Sequence, residues 1–170
     1  ERVRADAQAI PFAGDSFDTV LAPQMLYHVP DVEAAARECR RVLRPSGRLV
    51  AVTNGEGNVL RLAEIVEEAV GTGWRMHREV DRRFSLENGA ETLRTAFESV
   101  ERVECPPSEV VVTDADVFAD YVASTADPSS DQVSVPWDEV VRRAREIAAT
   151  ETASDHGLRL IASVGCFICR

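Results

Sequence analysis

Between residues 17 and 53 an apolar run, an amphipathic run and a second apolar run follow one another with little chain to spare: FDTVLA (17–22), DVEAAARECRRVLRP (31–45) and GRLVAVT (47–53). Strands buried on both faces read as near-continuous apolar runs, and two of them joined through a helix run parallel, because the crossover returns the chain to its starting end of the sheet. In the middle run Val32, Ala35, Ala36, Cys39, Val42 and Leu43 fall on one helix face. Asp31 is placed to cap its start, and Arg44-Pro45-Ser46-Gly47 supply a cation, a breaker and a turn at its end. A right-handed strand–helix–strand unit is expected.

The rest of the chain extends this pattern. VRADAQAI (3–10) reads as a further strand or strand end, and NVLRLAEIVEEAVG (58–71) as a helix capped by Asn58. SLENGAETLRTAF (85–97) predicts a helix with Leu86, Ala90, Leu93 and Phe97 inward. VERVECPPSEVVV (100–112) is strand-like but interrupted by Pro106-Pro107, which confine it to a sheet edge. Then come a helix over DADVFADYVAST (114–125), a loop over 126–136, a helix over WDEVVRRAREIAAT (137–150) and a last strand, LRLIASVGCFIC (158–169). At 170 residues the chain has the length of a single domain, 1–170, able to bury a proper core.

Composition narrows the partners. A net charge of -10 repels nucleic-acid backbone and anionic membrane alike, so neither is expected as a partner. All 19 basic residues are Arg, so within these residues no lysine nucleophile or Schiff base is available. No apolar run reaches the roughly 20 residues that a membrane span needs, and a cytoplasmic location is expected. Cys166 and Cys169 form a CxxC inside an apolar strand, where i and i+3 point to opposite faces. With no second pair, no metal site is expected there, and the thiols read as small core-filling groups in a reducing compartment.

FDTVLA ends in PQMLYH rather than in the Gly, Asn or Ser of a plain turn. Ligands of open α/β sheets bind over the carboxyl ends of strands, so Gln24, Tyr27 and His28 are candidate site residues. His28 either takes a proton near neutral pH or satisfies a backbone carbonyl. Gly55-Glu56-Gly57 follows a strand and precedes a helix, but Leu60 stands where a third glycine would complete a phosphate-binding turn. The stretch WRMHREVDRRF (74–84), with four arginines and His77, reads either as a cover for an anionic substrate or as a solvated helix with pairs such as Arg75 and Glu79.

Taken in order, ADAQAIPF, SFDTVLAPQMLYHVPD and RVLRPSGRLVAVTNG resemble the later half of class I S-adenosylmethionine-dependent methyltransferases, past the glycine-rich cofactor motif. FSLENGAETLRTAFESVERVE and GLRLIASVGCFICR look like the same family's C-terminal strands, so the resemblance covers the chain except about 72–83 and 126–156. It implies an α/β fold: a Rossmann-like, mostly parallel sheet with flanking helices and an antiparallel C-terminal strand. The family's opening strands, glycine-rich turn and ribose-binding acid have no counterpart here. The expectation is therefore a domain truncated at its N-terminus, holding half of a cofactor pocket and of doubtful activity alone.

The resemblance also implies roles. Asp6 would accept a hydrogen bond from the adenine amine of S-adenosyl-L-methionine, with Ala7 and Gln8 offering backbone groups; the other reading of Asp6 is a turn former. Ala22, Pro23 and Gln24 would pass beneath the methionine moiety. Tyr27 and His28 would wall the methyl-donor side or meet the acceptor, with His28 the candidate catalytic base. Methyl transfer asks mainly for alignment, exclusion of water and removal of a proton, so no conspicuous triad is required. A small-molecule acceptor is expected, with 72–83 and 126–156 as substrate-side insertions. A bare edge on the FDTVLA strand predicts pairing with another chain and a homo-oligomer. The alternative is a non-catalytic remnant or interaction module that kept the sheet and lost the cofactor.

Overall fold

A computed structural model describes residues 2–71, 83–125, 135–154 and 156–170. Along the chain run β1 (Phe17–Pro23), a 3-10 turn (Leu26–His28), α1 (Val32–Val42), β2 (Leu43–Asn54), α2 (Leu60–Val70), α3 (Gly89–Arg94), β3 (Val100–Glu104), β4 (Ser108–Val112), α4 (Ala115–Ser124), α5 (Trp137–Thr152), β5 (Leu158–Ala162) and β6 (Val164–Cys169). They fall into two compact units. The first comprises described residues 2–56, 83–106 and 163–170, the second 57–71, 107–125, 135–154 and 156–162.

The first unit is a four-stranded sheet in the order β1-β2-β6-β3. β1 and β2 are parallel, with Val20 opposite Leu49 and Ala22 opposite Ala51, as the crossover through α1 requires. β6 runs antiparallel to both of its neighbours, which is the expected antiparallel C-terminal strand. Alternation along β2 buries Leu49, Ala51 and Thr53 and leaves Val50, Val52 and Asn54 half-buried. Ala35, Ala36 and Cys39 of α1 and Leu93 of α3 join Leu49, Ala51 and Phe167 in one core. The Phe84 and Phe167 rings meet edge-on there, with centroids 5.8 Å apart.

α1 starts as its sequence predicts, with Asp31 accepting from the Ala34 amide at 2.9 Å. It stops at Val42, short of the expected 45. Pro45 disfavours helical backbone at the residue before it, and Leu43 already pairs with Phe17 as the first residue of β2. The register shifts between Phe17 and Thr19, so the Arg44–Gly47 stretch bulges out of the ladder. Gly47 fits that bulge because a Cβ there would stand 3.1 Å from the Phe17 carbonyl oxygen.

Two expectations are corrected. VRADAQAI is not a strand; its only pairing is an isolated bridge between Asp6 and Ala9. The Asp6 carboxylate accepts from the Gln8 amide at 2.9 Å and the Asp6 carbonyl from the Ala9 amide at 3.1 Å, a tight turn that competes with any ladder. Second, the run 158–169 is not one strand, while 100–112 breaks where its prolines interrupt it. Pro106-Pro107 separate β3, an edge strand of the large sheet, from β4, and Ser163 separates β5 from β6.

The second unit pairs β4 with β5 in an antiparallel two-stranded sheet, packed with three helices. Leu62, Ile65 and Val66 of α2, Phe118 and Val122 of α4, and Val140, Ala144 and Ala148 of α5 form its core with Leu158. Two ion pairs and a hydrogen bond join the helices: Arg61 of α2 to Glu151 of α5, Arg145 of α5 to Asp116 of α4, and Arg143 of α5 donating to the Ala69 carbonyl oxygen at 3.3 Å. The cap position of α2 is Val59, at φ 44, rather than Asn58. Among the described residues no helix is long and apolar enough to cross a membrane. Trp74, Arg75, His77, Glu79 and the insertion at 72–83, Arg83 excepted, lie outside the described residues, as do 126–134 of the second insertion.

Candidate active site

At the carboxyl end of β1 the chain leaves the sheet through Gln24, whose φ of 50 lies in the left-handed region. For a side chain larger than glycine that conformation costs about 1–2 kcal/mol, so something must hold it. The Gln24 amide donates to the Val52 carbonyl at 3.0 Å, tying the bend to β2. The side chain is fixed at both ends: Nε2 donates to Asn54 Oδ1 at 3.0 Å, and Oε1 accepts from the Tyr27 hydroxyl at 3.2 Å. Gln24, Tyr27 and Asn54 thus form one half-buried chain of hydrogen bonds across the ends of β1 and β2.

Ala22 is buried within the strand end, where a larger side chain would displace its neighbours, while Pro23 is exposed. The 3-10 turn then buries Leu26 and presents an exposed His28, whose ring lies against Tyr27 with centroids 4.4 Å apart. The His28 backbone amide donates to the Met25 carbonyl at 3.0 Å. Its imidazole stands at the outer margin of the bend, accessible to a ligand.

The loop carrying Asp6, Ala7 and Gln8 is bonded to the start of α1, which follows this bend. Gln8 Oε1 accepts from the Asp31 amide at 2.9 Å, and Gln8 Nε2 reaches both Asp6 carboxylate oxygens at 3.3 Å. Ala7 and Ile10 pack on the same core as Met25 and Tyr27. The Asp6–Gln8 turn and the bend from Ala22 to His28 thus both pack on the core of the first unit, and the turn is bonded to the residue that caps α1. Asp6 is exposed, and a carboxylate with about four acceptor positions retains room for a further donor after its bonds to Gln8.

Segment 6–12 is strapped to α1. Glu38 accepts from the Ile10 amide at 2.9 Å, and Arg41 donates to the carbonyls of Ile10 and Phe12, each at 2.8 Å. Arg41 and Glu38 pair at 2.7 Å. The Arg41 guanidinium, followed by the Ile10 amide, pulls the Glu38 carboxyl down from 4.5 to about 2. This ion pair is solvent-exposed, so its contribution lies in fixing the loop rather than in raw attraction.

Asn54 and Glu87 were not singled out in the sequence. An Asn after an apolar run reads as a turn former, and its one distinguishing signal is its place at the carboxyl end of GRLVAVT. Glu87 accepts from the Glu56 amide at 3.0 Å. A Cβ at Gly55 would stand 2.6 Å from Ser163 Oγ and 3.2 Å from Glu87 Oε1, so close packing within the unit accounts for this glycine. Burial pushes the Cys39 thiol up to about 11 and the Cys169 thiol up to about 12, which makes both unreactive core groups.

Comparison with known proteins bears on the same segment. Residues 1–51 match a family model described as a methyltransferase domain. Methyltransferase GfsG of Streptomyces halstedii is 51% identical over 45 residues, 26% of this chain and 16% of that protein. The ubiquinone/menaquinone biosynthesis C-methyltransferase UbiE of Hahella chejuensis is 48% identical over 52 residues, 31% of this chain and 21% of that protein. The matched stretch thus spans about a fifth or less of the curated relatives' length. In structure, the chain resembles a presumed methyltransferase from Bacillus halodurans with TM-score 0.58 and 15% identity, covering 100% of this chain and 76% of the other. A similar likeness, TM-score 0.61 at 14% identity over 96% of this chain and 70% of the other, holds for a presumed methyltransferase of an antibiotic biosynthesis pathway from Anabaena variabilis. At these identities the structural likeness shows the fold.

Proposed function

From a methyltransferase-domain match over residues 1–51 and a Rossmann-like fold shared with methyltransferase structures, we propose that this chain is part of an S-adenosyl-L-methionine-dependent methyltransferase acting on a small-molecule acceptor. The observation that carries the reading is the Gln8–Asp31 hydrogen bond, which joins the Asp6 turn to the start of α1, three residues past His28. Two separate stretches of chain, both within the matched segment, are thereby bonded together. The acceptor class rests on relatives whose names place them in quinone biosynthesis.

The bound cofactor would supply the reactive methyl on its sulfonium, and these residues would position and enclose it. Asp6 accepts from the adenine amine, with the backbone of Ala7 and Gln8 alongside. Ala22, Pro23 and Gln24 form the floor under the methionine portion, Ala22 being small enough for close approach. Tyr27 shields the donor side from water, and His28, exposed beside it, removes the proton of an alcohol or amine acceptor. In this reading the protein works in the cytoplasm, in keeping with four free cysteines.

Isothermal titration of the natural full-length polypeptide with S-adenosyl-L-methionine tests the reading. Binding is expected, weakened about tenfold by Asp6→Asn through loss of a charge-assisted hydrogen bond. Absence of binding by the unsubstituted protein at cofactor concentrations of about 1 mM would refute the assignment.

A further inference from the structure

Asn54 holds the bend that the proposed function places under the cofactor. Three features single it out. Its backbone is anchored, as the last β2 residue in register with Val164 of β6, and its carbonyl accepts from the Leu86 amide at 3.0 Å. Its Oδ1 takes the Gln24 Nε2 proton at 3.0 Å, and the Gln24 Oε1 so oriented takes the Tyr27 hydroxyl at 3.2 Å. Gln24 is also one of three non-glycine residues at positive φ among the described residues.

A left-handed residue relaxes when nothing fastens it, and relaxation here would swing both the Pro23–Gln24 backbone and the Tyr27 ring. The Gln24 amide is held by the Val52 carbonyl at 3.0 Å, and Asn54 is the fixed end of the chain of bonds that holds the side chains. Gln24 presents an amide with one donor side and one acceptor side: the donor side meets Asn54 Oδ1 and the acceptor side the Tyr27 hydroxyl. A buried or half-buried polar group that loses its partner is costly, so the three side chains lock one another.

Resting on the methyltransferase reading, we propose that Asn54 is a positioning residue for the cofactor: through Gln24 and Tyr27 it keeps the bend after β1 in the shape that receives the methionine portion. It acts through those two side chains and needs no contact with the ligand itself.

The test compares Asn54→Leu, Asn54→Asp and Tyr27→Phe in the natural full-length polypeptide by titration with S-adenosyl-L-methionine, alongside thermal melting and the side-chain amide resonance of Gln24. Asn54→Leu is expected to weaken binding about tenfold, the loss of one partly buried hydrogen bond, and to move the Gln24 resonance. Asn54→Asp keeps an acceptor for Gln24 Nε2 and is expected to recover most of the lost affinity. Tyr27→Phe removes the far bond and is expected to weaken binding several-fold, which keeps the test alive should Asn54→Leu not fold. Wild-type affinity in both Asn54→Leu and Tyr27→Phe, or an Asn54→Asp variant as weak as Asn54→Leu, would overturn the positioning role alone. Absence of binding by the unsubstituted protein would overturn the methyltransferase reading and this role together.

Discussion

Gly89 shows how closely single residues are determined by their neighbours. A Cβ at this position would lie 2.6 Å from a ring carbon of Phe167 and 2.9 Å from one of Phe84, so the two rings can meet only because the start of α3 carries no side chain. Gly89→Ala is expected to cost about 1–3 kcal/mol by overpacking. Gly57, with nothing within 4 Å of its missing Cβ, provides the contrast: Gly57→Ala is expected to be neutral or to stabilise by up to about 1 kcal/mol. Urea unfolding of the two variants separates these outcomes. At this scale sequence reading finds the place of Gln24 and Tyr27, just past the apolar run that forms β1. It fails for Asn54 and Gly89, because their significance lies in side chains up to 78 positions away that only the folded sheet brings near.

Among the elements, α1 was the most legible, since its buried face and its Asp31 cap are both written in local spacing. Segment 3–10 was misleading for a local reason: its alternation suits a strand, but the Asp6 side chain offers the Gln8 amide a bond that no ladder is present to outbid. What fixes the segment is distant, the Glu38–Arg41 pair on α1. Glu38 has a folded value of about 2 against an ordinary 4.5, so its contribution is complete above 4.5 and is lost as pH falls toward 2. Amide exchange at Ile10 is expected to accelerate across that window beyond the intrinsic pH trend. Glu38→Gln is expected to show the faster exchange already at neutral pH and no further acid-dependent step; equal protection in the variant and the wild type would contradict the strap.

For the whole molecule, the apolar residues divide between two cores. Leu93, Phe84 and Phe167 belong to one, and Val140, Phe118 and Leu158 to the other. The division is hard to foresee, because LRLIASVGCFIC is a single apolar run whose first part serves one sheet and whose second part serves the other. In the run 100–112, by contrast, Pro106-Pro107 mark the break between β3 and β4 in the sequence itself. Leu93→Ala and Val140→Ala each delete buried methyl groups, at a cost of about 2–5 kcal/mol for the former and somewhat less for the latter. Native-state amide exchange is expected to show each variant speeding exchange chiefly in the unit that holds it. Uniform acceleration throughout both units would show instead that they unfold as one.

β1 lies at the rim of its sheet, with β2 as its one strand neighbour among the described residues, and Leu21 on it is 68% exposed. A rim strand leaves its outer row of peptide groups on offer to any extended chain that drifts past, another molecule of the same kind included. For a sample of this polypeptide kept at high concentration, shelf life would then be governed less by either core than by seven residues, Phe17 to Pro23, and by how quickly something else occupies their outer edge.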